Sequence, residues 1–340
     1  MSAAAAAPAD ASAAPEPDAP SLVVERLTTS IRIDRQWFDA VRDVSFQVHR
    51  RETLALVGES GCGKSLTALS VMGLLPEGVG RVSAGRITVD GTDMTAASAA
   101  EAQAMRGDRI GMIFQEPMTS LNPVLPVGFQ IAESLVEHRG MSRREARQRA
   151  LALMELVRIP AAAQRLDAYA HQFSGGMRQR VIIAIALACS PKVLIADEPT
   201  TALDVTIQAQ VLALLADLQR REGLAVLLIT HNLGVVAAVA DRVIVMYGGD
   251  VVESAPAKEF FRRPTHPYSE ALLAAMPRVD RSAEALAPIP GQVPTLADLP
   301  AGCRFQSRCR LRIAKCAELP PLIPLTAAPA HGVRCWVRAP

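Results

Sequence analysis

Eight consecutive residues, Gly58-Glu59-Ser60-Gly61-Cys62-Gly63-Lys64-Ser65, have the composition of an anion cradle. Gly58 and Gly63 let the backbone curl until successive N–H groups converge, and a helix starting just after them adds the positive end of its dipole. Ser60, Gly61 and Cys62 would line that loop, Lys64 would reach the β- and γ-phosphates of a nucleotide, and the Ser65 hydroxyl would ligate Mg²⁺. The plain alternative is a glycine-rich turn without a ligand. The flanks argue against it: Thr53–Val57 reads as a buried parallel strand, and Leu66–Met72 as a helix.

A second set of residues supplies what phosphoryl chemistry needs. Val193-Leu-Ile-Ala-Asp197-Glu198 is an apolar strand ending in two carboxylates. At that end Asp197 would organise a Mg²⁺ shell, and Glu198 could polarise an attacking water. Phe173-Ser174-Gly175-Gly176-Met177-Arg178-Gln179-Arg180 sets Ser-Gly-Gly before a helix, a second anion site made of backbone N–H groups and a hydroxyl. His231 follows another strand; its type and position suit either a buried strand-end histidine or a catalytic one.

Strands and helices must alternate to carry these groups. The patterns predict strands at Ser21–Leu27, Val44–Val48, Gly85–Asp90, Arg109–Phe114, Val193–Ala196, Leu224–Ile229 and Arg242–Tyr247. Helices are expected at 177–189, 207–221 and 233–239, and a helical insert from about 127 to 173. Such alternation calls for a mostly parallel sheet covered on both faces. Beyond about Asp250 the pattern weakens and proline becomes dense between Pro264 and Pro324, which marks a C-terminal extension with a linker near 277–300.

Composition excludes several alternatives. The 340 residues carry a formal net charge of +2 and no long basic block, so there is no electrostatic footprint for nucleic acid. No apolar run approaches the twenty or so residues that span a bilayer, so any spanning segments belong to other chains. Residues 1–20, rich in Ala and Pro without Lys or Arg, lack the pattern of a secretory signal and are expected to be a disordered tail of a cytoplasmic protein. In that compartment thiols stay reduced and clustered cysteines hold metal more often than they pair. Without an Asn-Lys-x-Asp segment, guanine recognition is not expected.

In this order the motifs resemble the nucleotide-binding subunit of an ABC transporter: the phosphate loop, Gln115 after a strand, Ser174-Gly175-Gly176, Asp197-Glu198, Thr201-Ala-Leu-Asp204 and His231. The resemblance covers about residues 21–260. It implies an α/β fold in which a phosphate-loop core sheet carries an antiparallel β subdomain and a helical subdomain. It also implies two subunits facing head to tail, each ATP lying between the phosphate loop of one and the signature of the other. Gln115 would then touch Mg²⁺ and couple to the membrane partner, Asp204 would communicate across the dimer, and His231 would contact the γ-phosphate. Hydrolysis would require closure of the dimer. Two positions depart from the family pattern. Ile31, or a neighbour, stands where many members carry an adenine-stacking aromatic, with Trp37 or Phe38 as substitutes, and Met177 replaces the usual Gln of the signature.

Finer features are similar to the dipeptide/oligopeptide importer ATPases: Phe114-Gln-Glu-Pro-Met-Thr-Ser-Leu-Asn-Pro123, Thr200-Thr-Ala-Leu-Asp-Val-Thr-Ile-Gln208, Pro264-Thr-His-Pro-Tyr268 and Cys303-Arg-Phe-Gln-Ser-Arg-Cys309. That resemblance implies a chain at the cytoplasmic face of a bacterial cell membrane. Its partners would be a second ATPase, two permeases and an external solute-binding protein. Nickel and glutathione importers share these motifs. A soluble ABC ATPase of DNA repair or translation would be expected to carry a long coiled-coil insert or two motif sets; a regulatory subunit with a sensing C-terminal domain is a further alternative. In the extension (261–340), Cys303, Cys309, Cys316 and Cys335 lack the close C-x₂-C pairs of zinc knuckles, and Arg304, Arg308, Arg310, Arg312, Lys315 and Arg334 stand near them in sequence. From the residues alone, an iron–sulfur cluster, zinc, and unligated or paired thiols all remain open; the resemblance implies a [4Fe–4S] cluster.

Overall fold

A computed structural model describes residues 19–115, 120–201, 203–276 and 289–339. The tail expected to be disordered, apart from its last two residues, and the first half of the expected linker lie outside those bounds.

The chain begins with a long hairpin, β1 (Leu22–Ile33) and β2 (Gln36–Val48), which turns at Asp34 and Arg35 with φ of 47° and 67°. Two consecutive positive φ values make the tight primed turn that suits the twist of paired strands. Both strands run well past the expected ones, because charged residues such as Arg32 and Asp34 obscure a period that the solvent-facing end of a hairpin does not need. β4 (Gly80–Val89) pairs with β1, and β5 (Thr92–Asp93) completes an antiparallel sheet in the order β2-β1-β4-β5. At Gly85 a Cβ would lie 2.5 Å from the Arg26 carbonyl, so this register irregularity admits only glycine.

The second sheet holds the core. β3 (Thr53–Val57), β6 (Ile110–Ile113), β7 (Val193–Asp197) and β8 (Ala225–Thr230) have every residue buried, as strands covered on both faces must. With β9 (Arg242–Tyr247) they form a parallel run in the order β9-β3-β8-β7-β6. Alternation sorts their side chains. Leu54, Leu56, Ile195, Leu227 and Ile229 pack toward α1 (Lys64–Met72) and the antiparallel sheet, whereas Leu194, Ala196, Val226 and Leu228 pack toward the helices.

On that second face lie α3 (Val127–Arg139), α4 (Arg143–Leu156) and the short α5 (Ala162–Arg165), together with α6 (Gly175–Ala186) and α7 (Val205–Glu222). Ser142 opens α4 with a capping box, its hydroxyl accepting from the Glu145 N–H while the Glu145 carboxylate accepts from the Ser142 N–H. Before β6, α2 (Ala99–Asp108) is built on the same box from Ser98 and Glu101. α6 begins at Gly175, two residues earlier than expected, because Ser174 caps it by accepting from the Met177 N–H.

The core sheet does not stop where the sequence pattern weakens. β10 (Asp250–Pro256) turns back antiparallel on β9, and two strands of the extension, β12 (Ala328–Val333) and β11 (Ile323–Leu325), continue the same sheet to eight strands in the order β11-β12-β10-β9-β3-β8-β7-β6. α8 (Leu233–Val239), α9 (Ala257–Arg262) and α10 (Pro267–Ala274) cover this end. Two strands of the extension are therefore continuous with the core sheet.

Candidate functional site

Topology alone gathers the predicted residues. β3, β8, β7 and β6 are neighbours and parallel, so their carboxyl ends lie along one edge of the sheet, where ligands of open α/β sheets bind. The phosphate loop leaves β3, His231 follows β8, Asp197 and Glu198 end β7, and Gln115 follows β6.

The loop is shaped by close approach. Gly58 has φ of 153° and a Cβ there would lie 2.3 Å from the Met246 carbonyl of β9; Gly63, at φ 100°, precedes the first residue of α1. Lys64 is 6% exposed and curls inward, its ammonium donating to the carbonyls of Gly58 at 2.8 Å and Glu59 at 3.0 Å. Its Nζ also lies 3.6 Å from Cys62 Sγ. Burial pushes the Cys62 thiol upward despite the neighbouring lysine, so Cys62 fills space and stays protonated at neutral pH.

Asp197 is 3% exposed, and its Oδ1 has no hydrogen-bond partner. Burial is the largest cause of its raised pKa, opposed by a hydrogen bond from Ser65. A buried carboxylate bonded to the loop serine, with one oxygen unmatched, is a fitting acceptor for a divalent cation. Burial also pushes Glu198 upward. Hydrogen bonds from His231 and Thr201, with the charge of Lys64, outweigh it and hold this carboxyl below the usual range. The contacts are His231 Nδ1 at 2.8 Å from Oε1, Thr201 Oγ1 at 2.8 Å from Oε2, and Gln115 Nε2 at 3.4 Å from Oε2. His231 is not the buried strand-end residue that its position also allowed: its side chain is 62% exposed.

Other predicted residues stand apart from this edge. Gly175 and Gly176 face the segment that enters α7, where a Cβ on Gly176 would come within 2.4 Å of Ile207 Cγ2. Asp204 caps α7, accepting from the Ile207 N–H at 2.9 Å. Among the described residues, no hydrogen bond joins Ser174, Gly175, Gly176 or Asp204 to the phosphate loop of the same chain. Trp37 is 37% exposed with the Arg81 guanidinium 4.2 Å over its ring, and Phe38 pairs with Ile31 across the hairpin. Thr201 was named in sequence only as the start of the Thr201-Ala-Leu-Asp204 motif; its hydrogen bond to Glu198, three residues earlier, was not anticipated.

In the extension, Cys303 is pushed up to about 12 by burial and by its neighbours Cys316, Cys309 and Cys335. Burial raises Cys309 too, with Cys335 and Cys316 adding to it. The four thiols thus sense one another, although among the described residues no group of three or more His, Cys, Asp or Glu side chains is drawn together as for a single ion. Their cationic surroundings are narrower than expected. Arg308 is bound to Glu59, Arg310 to Glu270, and Lys315 lies over the Trp336 ring. Arg304 and Arg334, each 7% exposed, are adjacent in sequence to a cysteine but are engaged too: Arg304 lies against Asp250 and donates to the Gly248 and Asp39 carbonyls, and Arg334 donates to those of Val251 and Pro320.

A parallel phosphate-loop sheet flanked by an antiparallel sheet and a helical layer, with Asp197, Glu198 and His231 at its carboxyl edge, defines the class of ATP-binding cassettes. Residues 41–201 match the ABC transporter family, and residues 252–316 match the C-terminal region of oligopeptide/dipeptide transporters. The dipeptide transport ATP-binding protein DppD of Bacillus subtilis is 49% identical over 317 residues, covering 93% of this chain and 94% of its own. The oligopeptide transport ATP-binding protein AppD of the same organism is 50% identical over 316 residues, covering 93% and 96%. Among solved structures, the dimeric post-hydrolysis state of the ATP-binding cassette MJ0796, bound to ADP and Pi, superposes with a TM-score of 0.62 at 27% identity, covering 69% of this chain and 98% of that one. The chain belongs to the ABC transporter family, in the branch of its ATP-binding proteins that carries the oligopeptide/dipeptide C-terminal region.

Proposed function

We propose that this chain is the ATPase subunit that powers import of di- or oligopeptides through a membrane transporter. The observation that carries the chemistry is the environment of Glu198, a carboxylate kept ionised and aimed by His231 and Thr201 beside the phosphate loop. An ionised, oriented carboxylate is the group that takes a proton from an attacking water. Ser65, Asp197 and Gln115 would hold Mg²⁺, which when bound neutralises charge on the β- and γ-phosphates. Lys64 and the loop N–H groups, including those of Ser60, Gly61 and Gly63, would bind the phosphates, and His231 would steady the γ-phosphate end. Ser174, Gly175 and Gly176 would act on nucleotide held by a second ATPase, with Asp204 at the seam.

The site thus needs two chains. The dimeric state of MJ0796 supports that reading. No helix among the described residues is long and apolar enough to cross a membrane. Separate permeases would take up the work, with this chain peripheral on the cytoplasmic side and a solute-binding protein outside. The test is Glu198→Gln. It is expected to bind ATP, form a stable closed dimer and lose turnover by roughly a hundredfold or more; turnover at the wild-type rate would overturn the assignment of Glu198.

The four cysteines of the extension support an iron–sulfur reading by number and residue type alone, since their side chains are not drawn together as for a single ion and the Arg304 guanidinium lies against Asp250. Cys303, Cys309, Cys316 and Cys335 would hold a [4Fe–4S] group. Protein purified without oxygen is expected to be brown, with broad visible absorbance. Colourless protein carrying stoichiometric zinc would rule the cluster out.

A further inference from the structure

Two of the motifs that mark the peptide branch converge on the phosphate loop. Tyr268, from Pro264-Thr-His-Pro-Tyr268, is fully buried, and its hydroxyl accepts the Glu59 N–H at 2.8 Å. Arg308, from Cys303-Arg-Phe-Gln-Ser-Arg-Cys309, has a side chain only 4% exposed. It donates to both Glu59 carboxylate oxygens, at 2.7 and 3.2 Å. Around them, Tyr247, Tyr268 and Phe305 pack ring on ring at 4.8 to 5.3 Å, and the Arg308 guanidinium lies 5.7 Å from the Tyr247 centroid. Arg308 also donates to the carbonyls of Pro290 and Ile289.

Glu59 is the second residue of the cradle, and its carbonyl, with that of Gly58, receives the Lys64 ammonium. A loop with glycines at 58, 61 and 63 has many conformations to lose before its N–H groups converge. Fixing one of its residues from both backbone and side chain removes much of that freedom in advance. A bidentate Arg–carboxylate pair with a buried guanidinium also sets orientation, which a lysine could not do.

We propose that Arg308 and Tyr268 are positioning residues for the phosphate loop, so that the C-terminal extension, through Glu59, sets the affinity of the loop for ATP. This rests on the ATP-site reading above. The coupling is reciprocal by necessity: whatever orders the segment around Arg308 and Cys309 favours nucleotide binding, and nucleotide binding orders that segment.

The test measures binding of the fluorescent analogue mant-ATP, with Mg²⁺, to the full-length chain and to Tyr268→Phe, Arg308→Lys, Glu59→Gln and the Glu59→Gln/Arg308→Lys double variant. Melting temperatures without nucleotide report the fold, and Lys64→Ala serves as the reference for the site. Each single variant is expected to weaken affinity at least threefold, and the double variant no more than its weaker parent. A purely structural pair would lower the melting temperature and leave the affinity of the folded protein unchanged. Should Arg308→Lys fail to fold, Tyr268→Phe and Glu59→Gln carry the test. Affinity within threefold of wild type in folded variants, with Lys64→Ala impaired, overturns the clamp alone. Undiminished binding by Lys64→Ala overturns the site reading and the clamp with it.

Discussion

Glu198 holds a backbone that non-glycine residues seldom adopt, with φ of 48°. Its N–H still bonds the Ile229 carbonyl at 2.8 Å, so the strand pairing with β8 continues into the residue that departs from it. The strain of such a residue persists only where neighbours over-determine it, here through His231 and Thr201. Because the folded carboxyl is held below its ordinary range, its contribution to stability, and to the base catalysis proposed for it, would be present at neutral pH and lost as pH falls through the depressed value. Thr201→Ala removes one of the lowering hydrogen bonds. The acid limb of ATP turnover should therefore move to higher pH, by up to about one unit, as a pH–rate profile would register. An unmoved limb would mean that Thr201 does not tune the base.

At the scale of elements, one of the junctions between the extension and the core is a buried carboxylate. Glu253 on β10 is 0% exposed and accepts from the N–H groups of Thr265 and His266, at 2.8 Å each, and from His331 Nε2 of β12 at 2.6 Å. His266 itself is pushed down to about 4 by burial, and its Nδ1 accepts the Tyr268 N–H that opens α10. Glu253→Ala would strand three donors at once, two of them buried and the Thr265 N–H part-buried, and should cost about 3 kcal/mol or more in a denaturant titration. Glu253→Gln keeps an acceptor and should cost less. If both variants unfold like the wild type, the carboxylate is not what joins β12 and the Pro264 to Tyr268 segment to the sheet.

At the scale of the molecule, the two candidate anion sites stand on different elements of one chain. The phosphate loop with Glu198 sits on the sheet edge, while the Ser174 cap and Asp204 lie against the entry of α7. If ATP is gripped from both sides by two chains, Ser174→Arg should leave nucleotide binding by the single chain near wild type. It should also abolish ATP-dependent dimerisation in the Glu198→Gln background, seen by size-exclusion chromatography, and cut turnover by more than tenfold. A dimer that persists in the Ser174→Arg form would show that the signature is not the opposing half.

The parallel core was legible in the sequence because buried strands such as Thr53–Val57 and Val193–Asp197 are short, unbroken apolar runs, and each ends in the polar residues that function needs. The phosphate loop, the carboxylate pair and the Ser-Gly-Gly cap were visible for the same reason: their chemistry depends on neighbours in the chain, within one turn of backbone. Contacts between residues far apart in sequence left no such trace. Arg308 lies 249 positions from Glu59, and His331 lies 78 from Glu253, so no local pattern could pair them. Nor could composition show that β11 and β12 extend the ATPase sheet, since short strands at the sheet margin, each holding a Pro, lack the apolar period that betrays a central one. Local stereochemistry and hydrophobic burial wrote the cradle into the chain; only packing across the whole molecule decided what holds it in shape.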